Sequence, residues 1–332
     1  MASTLKSLFH DNDRYDKCFR MFKQRSNEQL QMEDFICTTL SDELASIGDG
    51  KSINVIGLGT GEGNYDIKIL SQLRLKHPGV MLNNEVVEPS TAQIQAYKER
   101  VAQVSHLDPV KFAWNEMTSS EFEEQWRQRN VTKKVDFIHM IQVLYYIEDP
   151  GPTIRFYQSL LKKNGKLMIT LQSGEGDRSN KWRELGFSNE FKWHKLEDIT
   201  KLLDEAGIPY QCYGVCSDLD ITECFTEGDE TGEMILDFIT QTVNFSKTAP
   251  SELRERPNRA SCEKIPMPPT IQALTDAPLQ SGVLDPATLA PLVEVTRKAV
   301  NLPWKGRTPV PSQRQPLKRC QSNLPLVPVS KS

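Results

Sequence analysis

Between residues 52 and 206 the chain switches repeatedly between short apolar runs and amphipathic segments, and that alternation constrains its fold more than any other feature. Five runs read as strands: INVIGL (53–58), NNEVVE (83–88), VKFAW (110–114), VDFIHMIQVL (135–144) and KLMITLQ (166–172). Helices fit between them. YDIKILSQLRLK follows the first strand, and STAQIQAYKERVAQV follows the second, with Ser90 and Gln93 at the spacing of a capping box. PTIRFYQSLLKK follows the fourth, and LEDITKLLDEAG follows the fifth and stops at Gly207. Such alternation predicts an α/β fold, a mostly parallel sheet with helices on both faces. Sheets of this kind bind ligands at the carboxyl ends of their strands, where strand order reverses.

The first strand runs into NVIGLGTGEGNYD (54–66), where glycines occupy alternate positions. Gly57, Gly59, Gly61 and Gly63 form G-x-G-x-G twice over but neither G-x-G-x-x-G nor G-x-x-x-x-G-K-[ST], so the dinucleotide and P-loop fingerprints both fail. A loop between strand and helix turns backbone N–H groups toward a ligand, and missing side chains let that ligand approach. The second strand ends in Glu88, placed to accept hydrogen bonds from the two ribose hydroxyls of an adenosine. A phosphate-free loop followed by an acidic strand end points to S-adenosyl-L-methionine, although a glycine loop taken alone is as often only a tight turn.

Composition sets the borders. Of 20 prolines, 13 fall in residues 257–332, where apolar periodicity also fades. That segment holds ten Lys/Arg against four Asp/Glu, so a net charge of -4 divides into an acidic body and a basic tail. An acidic body argues against nucleic acid as a partner. MASTLKSLFHDNDRY lacks the apolar core of a signal peptide, and no stretch is long enough to span a bilayer, which predicts a cytoplasmic protein with no membrane partner. The seven cysteines show no C-x-x-C pair, and no histidine lies near Cys212, Cys216 and Cys224, so buried reduced thiols are expected and a metal site is not.

With the glycine loop, NNEVVEPS (83–90) and FIHMIQVLYYIED (137–149) in view, the chain resembles the histamine N-methyltransferase family. The likeness extends to SLFHDNDRYDKCFRMF (7–22) and NEQLQMEDF (27–35), which look like that family's N-terminal substrate cap, and to residues 218–254, which look like its helical insert. The resemblance implies a Rossmann-like methyltransferase fold whose seven-stranded sheet takes an antiparallel last strand between strands five and six. Within the border set by composition, it divides the methyltransferase domain over 1–256 into a cap (1–50), a cofactor-binding core (51–215) and a helical insert (216–256); the proline-rich tail, 257–332, is expected from its composition to be disordered.

Carried over residue by residue, the resemblance puts Gly59 and Gly61 in the cofactor loop, Glu88 on the ribose, and Gln93, Ser119 and Ile141 at the remaining cofactor contacts. The plainer readings are that Gln93 caps its helix, Ser119 begins one and Ile141 is strand core. For the acceptor, Glu28 matches the family's carboxylate that holds the substrate amine; read alone it would be a solvated helix face. Tyr15, Phe9, Phe19, Gln142, Tyr145, Tyr146, Trp182 and Phe245 would complete an aromatic-walled pocket. The implied enzyme is a monomer that methylates a ring nitrogen of histamine, with positioning rather than a catalytic side chain as its means.

Two departures bear on that expectation. Arg178 stands where the family has the first of two tryptophans, which leaves room for another imidazole amine such as carnosine. After SELR the chain runs into a tail unlike the family's, so its final strand and substrate-contacting asparagine have no evident counterpart, and a weak or silent binding protein becomes the alternative. In the tail, only LAPLVEVTRKAV (289–300) has the apolar and β-branched content for a strand or short helix.

Overall fold

The computed structural model describes residues 5–172, 194, 196–249, 264–266 and 270–276. These lie in one compact unit, Met1–Gly282. The N-terminal region is helical: α1 (Asn12–Arg25), α2 (Glu28–Phe35), a π-helical turn at Ile36–Leu40, and α3 (Ser41–Leu44). The expected alternation follows, with β1 (Ser52–Leu58), α4 (Asn64–Lys76), β2 (Met81–Val87), α5 (Thr91–Val101), β3 (Lys111–Asn115), α6 (Ser119–Gln128), β4 (Val135–Ile141), α7 (Pro150–Ser159) and β5 (Leu161–Gln172). Then come α8 (Leu196–Glu205), β6 (Tyr210–Val215), β7 (Asp218–Asp220), α9 (Glu230–Thr240) and α10 (Phe245–Thr248), and finally β8 (Lys264–Pro266) and β9 (Thr270–Asp276).

Seven strands form one sheet in the order β3-β2-β1-β4-β5-β9-β6. The pairs β1–β2, β1–β4, β2–β3 and β4–β5 are parallel, whereas β9 is antiparallel to both neighbours. This is the Rossmann-like methyltransferase arrangement. Alternate residues of one strand enter two separate cores. Ile56, Ile138 and Leu167 pack with Phe122 and Trp126 of α6 and Ile154 and Tyr157 of α7, while Val55, Phe137 and Met168 pack with Ile69 and Leu73 of α4 and with Met32, Phe35 and Ile36 of the N-terminal helices. Helices therefore cover both faces, and central strands buried on both sides are apolar at almost every position.

Two sequence expectations are corrected. The fourth strand stops at Ile141 rather than residue 144, because Gln142 takes a left-handed φ of +54° and Leu144–Tyr146 turn as a 3₁₀ helix. The seventh strand is Thr270–Asp276, inside the segment read as lying beyond the fold, and not a piece of 289–300, which lies outside the described residues. It pairs with Lys166–Gln172 on one side and Tyr210–Val215 on the other, and Leu274 and Thr275 are buried. Prolines on either side conceal TIQALTD, but two waiting strand edges satisfy its backbone groups along its length.

Among the described residues no helix is long and apolar enough to cross a membrane. Cys18 and Cys224 are buried as expected of structural thiols, whereas Cys216 is exposed, contrary to that expectation.

Candidate functional site

Strand order reverses between β1 and β4, and the loops leaving both strands meet at that rim. Gly59 has φ +58° and donates its N–H to Val87 O at 2.8 Å, extending the β1–β2 ladder past the strand end. A Cβ on Gly59 would collide with Val143, which leaves the loop no alternative residue there. Gly61, at φ +54°, is different: a Cβ there would meet nothing nearer than Gln93 Oε1 at 3.8 Å, so its open side faces free space.

Glu88 is buried, 8 % exposed, and each of its oxygens is engaged by the backbone: Oε2 accepts from Gly61 N–H at 3.0 Å and Oε1 from Ser90 N–H at 3.0 Å. The carboxylate thus ties the glycine loop to the start of α5 and keeps acceptor capacity beyond those two bonds. Gln93 sits in the first turn of α5, its N–H directed at Ser90 Oγ at 3.4 Å and its side-chain oxygen turned to Gly61. Ser119 is the first residue of α6, but the cap itself is Thr118, in a full capping box with Glu121. Its hydroxyl donates to the Tyr157 hydroxyl at 3.2 Å. Ile141, half-buried, ends β4 and packs on the core shared with α4.

Beneath the loop lies a group the sequence reading passed over. Asp66, in the first turn of α4, is 3 % exposed, and Oδ1 stands 3.5 Å from Nε2 of the equally buried His139 on β4. Burial pushes the Asp66 carboxyl up to about 8 and the His139 imidazole down to about 3, so at neutral pH both are uncharged. Gly57 is glycine because a Cβ there would press on Asp66 and His139 at 2.7 and 2.8 Å.

The second half of the rim joins the N-terminal helices to the β4 loop. Gln142 donates through Nε2 to Glu28 Oε1 at 2.5 Å, across 114 positions of sequence, and its own N–H continues the ladder to Thr170 O at 3.0 Å. A non-glycine residue held left-handed stores strain of about 1–3 kcal/mol, which the two bonds offset. Glu28 is therefore half-buried and bonded, not a freely solvated helix position. Burial, then the negative charge of Glu28, raises the phenols of Tyr145 and Tyr65. The Tyr145 hydroxyl accepts from Gln172 N–H at 2.7 Å at the end of β5. Tyr15, on α1, is half-buried, with its hydroxyl bonded to that of the exposed Tyr146. Its ring stacks on Phe19 at 6.1 Å, and both rings lie against Phe238 of α9, at 6.0 and 5.6 Å. Phe245 is buried at the start of α10. The side chains of Phe9, Trp182 and Arg178 lie outside the described residues.

The arrangement brings Gly61, Glu88 and Gln93 together on one side, and Glu28, Gln142, Tyr145, Tyr146, Tyr15 and Phe19 on the other. Among the described residues no group of His, Cys, Asp and Glu is placed to hold a metal ion. Tyr65 and Asp66 carried no signal that could have found them, since neither belongs to a recognisable spacing.

A domain family described as "Methyltransferase domain" matches residues 28–211. The chain is 48 % identical over 260 residues to histamine N-methyltransferase of Danio rerio, covering 77 % of this chain and 89 % of that protein. It is 43 % identical to the Xenopus tropicalis protein of the same name, with the same coverage, and 44 % identical to that of Cavia porcellus, covering 76 % and 89 %.

Proposed function

The chain belongs to the histamine N-methyltransferase family, and from that premise we propose that it transfers a methyl group from S-adenosylmethionine to a ring nitrogen of histamine. The observation that carries the assignment of residues is the 2.5 Å bond between Gln142 and Glu28, which brings a carboxylate and an amide to the switch point beside the glycine loop.

The residues present suit the cofactor: the open side of Gly61 leaves room for it, and the buried Glu88 carboxylate retains acceptor capacity for ribose hydroxyls. Gly59, Gly61, Glu88, Gln93, Ser119 and Ile141 would hold it. When bound, S-adenosylmethionine supplies an electrophilic methyl group. Glu28 pairs with the ammonium of histamine, and Gln142 hydrogen-bonds the ring, which selects the nitrogen presented for methylation. Tyr15, Phe19, Tyr145, Tyr146 and Phe245 form walls that exclude water and favour cations by their ring faces. An imidazole near its ordinary value of about 6.5 is largely neutral at pH 7, so no strong base is needed. Orientation and dehydration carry the rate.

One chain supplies every residue invoked, which supports a monomer, and the free thiols of Cys18, Cys37, Cys212, Cys216 and Cys224 suit the reducing cytoplasm. The silent-protein alternative rested on a missing seventh strand, and β9 occupies that position. Transfer of labelled methyl to a panel of histamine, carnosine and other imidazole amines tests the proposal. Histamine should be the preferred acceptor, with the label on the ring; no transfer to histamine would refute it.

A further inference from the structure

Asp237 of α9 is fully buried, 0 % exposed, and is bonded to two parts of the molecule that sequence keeps far apart. Oδ2 accepts from Arg14 Nε at 2.6 Å and from Asn244 N–H at 2.8 Å, while Oδ1 accepts from Phe245 N–H at 2.8 Å. The turn that delivers those amides is bent: Gln241 and Asn244 are both left-handed, at φ +52° and +53°. It is also laced to the N-terminus, because Leu8 N–H donates to Gln241 O and Val243 N–H to Lys6 O, both at 2.9 Å. Strain of this kind persists only where surrounding bonds over-determine it.

The placement of the neighbours matters. Arg14 immediately precedes Tyr15 on α1, Phe245 begins α10, and Phe238, next to Asp237, supports Tyr15, Phe19 and Phe22 with ring centroids 6.0, 5.6 and 4.6 Å away. One carboxylate therefore ties α1 to α10, while its neighbour Phe238 packs against the rings of α1. We propose that Asp237 is a positioning residue for the acceptor side of the site, fixing the aromatic wall of Tyr15, Phe19 and Phe245 without touching substrate. This rests on the reading that those aromatics face histamine. No bond of Asp237 reaches the glycine loop or Glu88, so its loss should fall on acceptor binding alone. A wall displaced by about 1 Å is enough to lose two orders of magnitude in rate at subsaturating acceptor.

The test compares the full-length parent with Asp237→Asn and with Arg14→Gln, a milder change at a partly exposed side chain that leaves the Phe245 bond intact. Asp237→Asn should raise the KM for histamine about tenfold or more, with kcat within about threefold and S-adenosylmethionine affinity by calorimetry unchanged; Arg14→Gln should move KM the same way by less. A purely structural role would lower kcat at constant KM, since fewer molecules would be folded, and that result, or an unchanged KM in both folded variants, overturns the proposal. If the parent itself fails to methylate histamine, the proposed function falls instead. Hydrogen exchange then still decides the clamp: faster exchange confined to α1 and residues 241–249 in the variants upholds it, and unchanged exchange there overturns it.

Discussion

The two sides of the site are built by different means. On the glycine-loop side, the bond that joins the loop to the acidic strand end runs from Gly61 to Glu88, only 27 positions apart, and the working groups are backbone amides, absent side chains and that one carboxylate. On the acceptor side, Gln142 reaches Glu28 across 114 positions and Arg14 reaches Asp237 across 223. A surface made of backbone resists most side-chain changes but not an added Cβ. A surface made of distant side chains depends on every element that holds them in register. The difference separates what each kind of mutation should do.

The largest effect should come from removing residues 257–332, which deletes β8 and β9. The sheet then loses the strand between β5 and β6, and β7 loses its partner; Asp218 of β7 accepts from Asn27 N–H at 3.1 Å and donates its own N–H to Asn27 Oδ1 at 2.7 Å, beside Glu28. Two exposed strand edges predict loss of a cooperative thermal transition by circular dichroism at 25 °C and above, while a chain ending at residue 282 keeps it. A chain ending at 256 that melts like the parent would break the comparison at its root.

Next in size, Glu88→Ala should weaken S-adenosylmethionine binding by about 1.5–3 kcal/mol, the range for lost bonds to a charged group, or roughly ten- to 150-fold. Gly61→Val should do at least as much harm, since its side chain would fill the open side of the loop at a left-handed φ. Calorimetry on folded variants reads both, and unchanged affinity would remove these residues from the site. Glu28→Gln, on the opposite side, should raise the KM for histamine about tenfold and leave cofactor affinity alone. Equal changes in both ligands would show that the two sides are one unit.

The smallest effect concerns pH. The folded-state value of about 8 for Asp66 lies above the ordinary 3.8, so the folded chain holds that proton more tightly than the unfolded chain does. Its contribution to stability is complete below about pH 4 and is lost progressively as pH rises toward 8. Asp66→Asn, which cannot ionise, should therefore show a flatter dependence of Tm on pH between 5 and 8.5 than the parent. Parallel slopes would mean that Asp66 is ionised in the fold.

Which parts were legible in the sequence follows the same division. β1 and β4 and the helices after them were readable because a doubly buried parallel strand is a continuous apolar run, and the glycine loop after β1 is a local pattern; β2 and the edge strand β3 are less buried and showed only as short apolar stretches. Glu88 could be singled out as the acidic end of such a run. Glu28 carried no local signal of its own: alone it is one more charge on a polar helix, and only Gln142 arriving from β4 gives it a partner. Asp66, Asp237 and Arg14 were invisible for the same reason, since burial is a property of packing and not of spacing. TIQALTD was missed because its neighbours are prolines and only three of its seven residues are apolar; it is a strand where two edges already stand open to receive it.

The sequence by itself determined the alternation, the identity of the loop that leaves β1 and the acidic residue at the end of β2, because periodicity and glycine chemistry act over a few residues. Only the tertiary structure decided that Thr270–Asp276 completes the sheet, that Gln142 turns left-handed to meet Glu28, and that one buried carboxylate holds α1 to α10. Those outcomes are set by hydrogen bonds and desolvation between groups brought close by folding, and no local pattern encodes the partner that burial will supply.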